Sequence, residues 1–251
     1  MSTINSLLSL IAPHQCLGCS QEGSLLCSPC LRGLVISTDR CYSCQRPAPD
    51  GLTCTGCYKR SYVFQVQAAA SYTGLAKELV RKLKFSGAQA AVRPMAVCMA
   101  QLILAASRTN SVTRQPLAVV VVPVPTASSR QRRRGYDQAN LLARALARHQ
   151  NLDYLPCLRR LGQAHQVGAG RAQRLAQLAG AFVVVRPERI RGKHVVLVDD
   201  VITTGATFEA AARVLRQAGA ARVSAIAFAR AELAPVPSNL GVSSIKDNYR
   251  L

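Results

Sequence analysis

Tryptophan is absent from this 251-residue chain, and Phe and Tyr together make up only 5% of it. A core with so few rings must be filled by aliphatic side chains, and 49% of the residues are hydrophobic. Abundant Val, Ala and Leu suit buried strands of a mostly parallel sheet covered by Ala/Leu helices, an α/β architecture. Acidic residues are scarce, 12 against 32 Lys and Arg, for a formal net charge of +20. A field of that sign attracts nucleic acid, phosphorylated ligands or anionic lipid. The plain alternative is a basic, solvated surface with no such partner. No apolar run reaches the ~18 residues of a membrane span. The segment Met1–Ala12 lacks the basic start and small-residue cleavage site of a leader, so it reads as a cap or amphipathic turn. A cytoplasmic location is expected, with peripheral attachment at the anionic inner membrane left open by the arginines.

Cysteine, by contrast, is plentiful and ordered. Eight of the ten cysteines form four C-x-x-C pairs, Cys16/Cys19, Cys27/Cys30, Cys41/Cys44 and Cys54/Cys57, all within 42 residues. One such turn supplies two thiolates to a metal, and two turns complete a tetrahedral site, so two structural Zn²⁺ ions are expected. Two Zn²⁺ on eight thiolates would bring the net charge to roughly +16. The alternatives, a disulfide cluster or a thioredoxin-like redox motif, fit less well. The first wants a secreted chain and the second a single pair at a helix start. Sequential or interleaved pairing is open; gaps of only seven and nine residues inside the two halves favour sequential pairing. Cys98 and Cys157 lie in apolar surroundings and read as packing residues. His14, beside the first pair, reads as a non-ligand.

From about Val63 periodic apolar segments replace the cysteines, which divides the chain into a zinc-ribbon module (1–62), an α/β domain (63–234) and a tail (235–251). Strands are predicted at 66–72, 117–125, 181–185, 194–198 and 222–229. Helices are predicted at 74–85, 90–106 and about 136–149, each from an apolar stripe at helical spacing. Thr126–Gly135 reads as a loop carrying Arg130, Arg132, Arg133 and Arg134. Residues 162–178 read as a mobile loop with a short helix.

The stretch 192–219 carries the chemistry. A buried strand ends in Asp199 and Asp200, at the carboxyl edge where open α/β sheets bind ligands. Thr203, Thr204, Gly205, Ala206 and Thr207 follow, and then a helix that runs to Gly219. Small residues let backbone N–H groups curl around an anion, the helix N-terminus adds its dipole, and the threonines add hydroxyl donors. Two carboxylates beside that cradle can hold vicinal sugar hydroxyls directly or through Mg²⁺. A phosphate pocket next to a diol pocket describes a ribose 5-phosphate.

The run from Val196 to Thr207 resembles the signature of type I phosphoribosyltransferases: apolar strand, Asp-Asp, two residues, then T-G-x-T. Together with the zinc ribbons, the chain resembles the ComF/GntX-like family of competence-associated phosphoribosyltransferase-like proteins, over roughly residues 13 to 232. Three further stretches carry the likeness: Lys82-Leu83-Lys84-Phe85 with Gly87, Val122-Pro123-Val124-Pro125, and Arg134-Gly135-Tyr136-Asp137-Gln138-Ala139. Asp137 stands where that family has Asn. Gln166–Arg171 carries Ala-Gly in place of Leu-Ser, and Gln177 and Ala179 replace Asn and Arg. The resemblance implies a type I phosphoribosyltransferase fold with a mostly parallel, flavodoxin-like sheet. It implies 5-phosphoribosyl 1-pyrophosphate (PRPP) with Mg²⁺ at Asp199, Asp200 and Thr203–Thr207. Arg132, Arg133 and Arg134 would then face pyrophosphate or nucleic acid. It also implies handling of single-stranded DNA in natural competence, with a helicase partner. A catalytic phosphoribosyltransferase of nucleotide metabolism and a zinc-ribbon protein-recruitment module are the competing readings. No acceptor-binding hood is identifiable in the sequence.

Overall fold

The computed structural model describes residues 14–108, 117–161, 178 and 180–231. Met1–Ala12, the 162–177 part of the expected mobile loop and the tail lie outside the described residues.

Five strands, β1 (Gln65–Ser71), β2 (Val119–Pro123), β3 (Asp153–Tyr154), β6 (His194–Ile202) and β7 (Arg222–Arg230), form one parallel sheet in the order β1-β7-β6-β2-β3. The register is continuous across the centre, with Val120 opposite Val195 and Val195 opposite Val223. Both faces are covered, which is why these strands read as unbroken Val/Ile/Ala runs. One face packs α3 (Gly74–Phe85), α4 (Val92–Arg108) and α6 (Gln138–His149), whose Leu79, Leu83, Met95, Met99, Leu142 and Leu146 meet Val121, Val196 and Phe228. The other face packs α7 (Ala206–Gln217), whose Phe208, Ala211, Ala212 and Leu215 lie at helical spacing against Val195, Leu197 and Ala225. Gly219, at φ +97°, ends that helix in a conformation glycine adopts without steric cost.

The cysteine-rich segment holds two short helices, α1 (Ser28–Arg32) and α2 (Thr55–Tyr58). It lies along the free edge of β1. The Ser71 amide donates to the Val35 carbonyl at 2.8 Å, and isolated bridges join Ile36 to Ala70 and Leu52 to Gln65. An edge strand that would otherwise expose unpaired amides is thereby covered. The segment straddles the sheet. Leu25 and Leu26 join the α3/α4 core, whereas Tyr42 and Val63 join the α7 core.

Two local differences from the sequence reading stand out. Residues 128–134 form a helix, α5 (Ser128–Arg134), where a loop is predicted; Gly135, left-handed at φ +78°, stops it. With no Gly or Pro between 126 and 134, nothing there breaks a helix. The predicted strand at 181–185 is present as β5 (Phe182–Val184), outside the main sheet. It pairs antiparallel with β4 (Leu158–Arg160), a strand with no apolar period to announce it.

Candidate functional site

The carboxyl ends of β6 and β2, the amino end of α7 and the last turn of α3 converge. Asp200 is buried, and its Oδ1 meets Lys84 Nζ at 2.9 Å. Lys84 belongs to the helix end whose last-turn lysines also suit the helix dipole. Asp200 Oδ2 is buried with no hydrogen-bond partner. Asp199 Oδ1 accepts the Asp200 amide at 2.8 Å. Burial, then the neighbouring Asp200 charge, push the Asp199 carboxyl well above the usual carboxylate range, with Lys84 acting in the opposite sense. The pair is therefore asymmetric. One acid is neutralised by a lysine, and the other lacks comparable compensation until a cation or hydrogen-bond donor arrives.

Five residues after Asp200, the chain turns at Gly205, left-handed at φ +73°, into α7. The Ala206 amide donates to Thr204 Oγ1 at 3.4 Å and the Glu209 amide to the Gly205 carbonyl at 3.0 Å. Thr204, Gly205 and Ala206 are buried, Thr207 is half-buried and Thr203 is exposed. The loop thus presents a helix N-terminus beside two carboxylates, the arrangement that suits an anion next to a diol or a bound cation.

Of the three arginines singled out by the sequence, the structure brings Arg134 toward the acids. It is half-buried, its guanidinium lies 5.4 Å from the Phe85 ring centre, and its Nη1 donates to Gln138 Oε1 at 2.9 Å. Burial lowers its pKa, and the charge of Asp200 opposes that shift. Arg132 and Arg133 are exposed on α5. Tyr136 Oη donates to the Leu83 carbonyl, so the R-G-Y-D-Q-A and L-K-F segments are one packed unit. Asp137 caps α6 by accepting the Asn140 amide at 3.2 Å through Oδ1, while Oδ2 accepts the Thr126 amide at 2.8 Å. The acid that stands in place of Asn therefore ties the loop after β2 to the helix that follows.

Sequence reasoning assigns no role to Lys84 and misses Arg160. Burial lowers the pKa of Arg160, Arg130 adds repulsion, and the charge of Asp199 acts the other way, so this cation is within electrostatic reach of Asp199. Its guanidinium also lies 5.5 Å from the ring centre of Phe182 on β5. Lys84 is legible in part, as a basic residue closing an amphipathic helix; no pattern marks Arg160.

The cysteines group sequentially. The Sγ atoms of Cys16, Cys19, Cys27 and Cys30 lie within 4.8 Å of one another, and so do those of Cys41, Cys44, Cys54 and Cys57. Sulfur separations of 3.5 and 3.6 Å are near those of a tetrahedron with Zn–S bonds of about 2.3 Å. The amides of Cys27 and Gly18 both donate to Cys16 Sγ at 3.4 Å. The Cys27 amide chiefly, with that of Gly18, outweighs burial and holds the Cys16 thiol down to about 6. The hydrogen-bonding contact with Cys27, then that with Cys16, pushes Cys30 up to about 12. Such crowding is relieved when a metal takes the thiolates, so both sets fit structural zinc. Cys98 and Cys157, whose thiols burial raises to about 11, are packing residues.

Among the described residues no helix is long and apolar enough to cross a membrane. The phosphoribosyl transferase domain family matches over residues 133–248. The DNA utilization protein YhgH of Salmonella typhi is 31% identical over 229 residues, covering 85% of this chain and 96% of that protein. Competence protein F of Haemophilus influenzae is 32% identical over 156 residues, 61% of this chain and 67% of that one. Competence protein ComFC of Bacillus subtilis is 28% identical over 198 residues, 76% and 77% of the two chains. Near-full-length similarity, the parallel sheet with its acid pair and the two four-cysteine clusters agree, and the chain belongs to the ComF family of phosphoribosyltransferase-fold proteins.

Proposed function

We propose that this chain binds PRPP with Mg²⁺ at Asp199, Asp200 and the Thr203–Thr207 loop, and that it handles single-stranded DNA during uptake. The observation that carries the first half is the acid pair set directly before the Gly205 turn at the amino end of α7. The loop would take the 5-phosphate and the acids the ribose hydroxyls. Asp200 Oδ2, buried without a partner, offers an oxygen to Mg²⁺ or to a hydroxyl. Lys84, Arg134 and Arg160 supply positive charge for the pyrophosphate.

The second half rests on the net charge of +20 and on the names of the relatives, which speak of DNA utilization and competence. Zinc-ribbon residues 1–62, the phosphate-binding domain 63–234 and the tail 235–251 would then divide the work. A helicase partner and a cytoplasmic site of action, at or near the inner membrane, complete the proposal.

Calorimetric titration of zinc-loaded protein with PRPP and Mg²⁺ tests the site. Binding is expected in the wild type and lost in Asp199→Ala/Asp200→Ala; equal affinity in the double variant would overturn the assignment. Single-stranded DNA affinity should fall linearly with salt on logarithmic axes. The second reading, a catalytic phosphoribosyltransferase, is favoured by the cations flanking the acids, and pyrophosphate release from PRPP with an acceptor would establish it.

A further inference from the structure

The second cysteine cluster reaches the phosphate loop through Tyr42, the residue after Cys41. Tyr42 is fully buried, although it sits in a metal-ribbon turn. Its ring lies where a side chain on Gly205 would be: a Cβ built there would stand 2.5 Å from Cδ2 and 3.3 Å from Cε2 of Tyr42. Its hydroxyl donates to Glu209 Oε2, on the first turn of α7. Two more donors from the same ribbon reach that carboxylate, the Tyr62 amide to Oε1 at 3.1 Å and Ser61 Oγ to Oε2 at 3.1 Å. Glu209 is itself buried, and these three donors satisfy its carboxyl oxygens.

The first cluster makes no such connection among the described residues. Its Cys16 lies in the core on the opposite face of the sheet, with Leu25 and Leu26. Gly18 of that ribbon faces Leu75 of α3, where a Cβ would stand 3.0 Å from Cδ1.

From this asymmetry we propose that the second four-cysteine site sets the affinity of the phosphate loop, with Tyr42 as the positioning residue that joins them. The inference rests on the reading of Thr203–Thr207 as a phosphate cradle. An anion-binding loop works only if its amides already point inward, because ordering them on binding costs affinity. Gly205 supplies the turn, and glycine is also the residue with most freedom to leave it. The ring against Gly205 and the anchored Glu209 remove that freedom. Zinc on Cys41, Cys44, Cys54 and Cys57 holds the ribbon that carries Tyr42, Ser61 and Tyr62, so loss of this zinc is expected to loosen a cradle it never touches.

The test is hydrogen exchange of the full, zinc-loaded chain, read separately at amides 203–209 and at β7. Tyr42→Ala and Cys44→Ser are expected to speed exchange at 203–209 by about tenfold or more with β7 still protected. Cys19→Ser, the matching lesion in the first cluster, should act less there. Tyr42→Phe, which keeps the ring on Gly205 but loses the hydroxyl, should fall between wild type and Tyr42→Ala. Should Tyr42→Ala unprotect β7 as well, Tyr42→Phe and Glu209→Gln decide. Unchanged exchange at 203–209 in these variants overturns the proposal. In parallel, titration with PRPP and Mg²⁺ should show a Kd raised by about tenfold in Tyr42→Ala. A wild type that binds no PRPP would defeat the functional reading, while the exchange data would still decide whether Tyr42 holds the loop.

Discussion

Asp199→Asn should make the ligand-free protein more stable and ligand binding weaker. Burial and the Asp200 charge raise the Asp199 pKa in the folded chain. A raised carboxyl pKa means that the native state holds the proton more tightly than the unfolded chain does. The contribution of this group to stability is therefore full below the unfolded value of about 3.9 and is lost as pH rises through the folded value. Asn mimics the protonated acid at every pH, so the advantage of the variant should be near zero at acid pH and grow toward neutrality.

Its size follows from the surroundings. Two unit charges roughly 6 Å apart in an effective dielectric of about 20 repel by about 3 kcal/mol. Lys84, bound to Asp200 at 2.9 Å, cancels part of that field, and Asp199 is only half-buried, so water screens more of it. A net gain of about 1–2 kcal/mol at neutral pH is expected. Urea melts of both proteins between pH 4 and pH 8 would measure it. A variant equally stable or less stable at pH 8, or an advantage that shrinks as pH rises, would refute the electrostatic account of the pair.

Four further outcomes are expected. His194 is buried in β6, with Nε2 2.9 Å from Ser224 Oγ, and burial chiefly, with the charge of Arg222 adding to it, lowers its pKa to about 4. A depressed histidine stabilises the fold above its unfolded pKa of about 6.5, and roughly 3 kcal/mol should be lost between there and pH 4; a melt series in which His194→Gln shows the same loss would exclude this group as its source. Asp137→Ala removes the acceptor of the Thr126 and Asn140 amides and should cost about 1–2 kcal/mol in chemical denaturation, whereas Asp137→Asn should cost less. Lys84→Met leaves Asp200 buried and uncompensated, for a loss of roughly 2–4 kcal/mol that Lys84→Met/Asp200→Asn should largely recover. Chelation should release two zinc ions per chain, more readily as pH falls because protons compete for the thiolates; a metal assay finding none, or only one, would break the two-site assignment.

What is legible in the sequence follows from how local each signal is. The strand at Val195–Val198, the acids and the Gly205 turn are contiguous, so their geometry is set within one strand–loop–helix unit and its residue types announce it. The cysteine pairs are legible for the same reason, since each turn places its own two sulfurs, and short gaps decide which turns meet. Helix α3 runs from Gly74 to Phe85 as its apolar stripe predicts. The arginine segment is misleading because its charge density resembles a loop, although its local propensity is helical and Gly135 ends it. Strand β4 has three residues and no period, and it exists by pairing with β5 across a long stretch of chain.

The contacts that stay hidden are those that join distant segments at one point. Lys84 and Asp200 come from opposite ends of the α/β domain, and Tyr42 and Glu209 are separated by 167 positions. No spacing rule connects such residues. Each of the second pair is nevertheless odd in its own setting: a tyrosine inside a metal-binding turn, a glutamate in the apolar half of an amphipathic helix. A buried polar group needs a partner, so such a residue implies a contact even when its address is unknown. Glu209 lies between Phe208 and Ala211 on the inward side of α7 and is only 8% exposed. Its partners are three donors from the second zinc ribbon. The residue that breaks the helical pattern is thus the one that fastens the metal module to the loop where phosphate is proposed to bind.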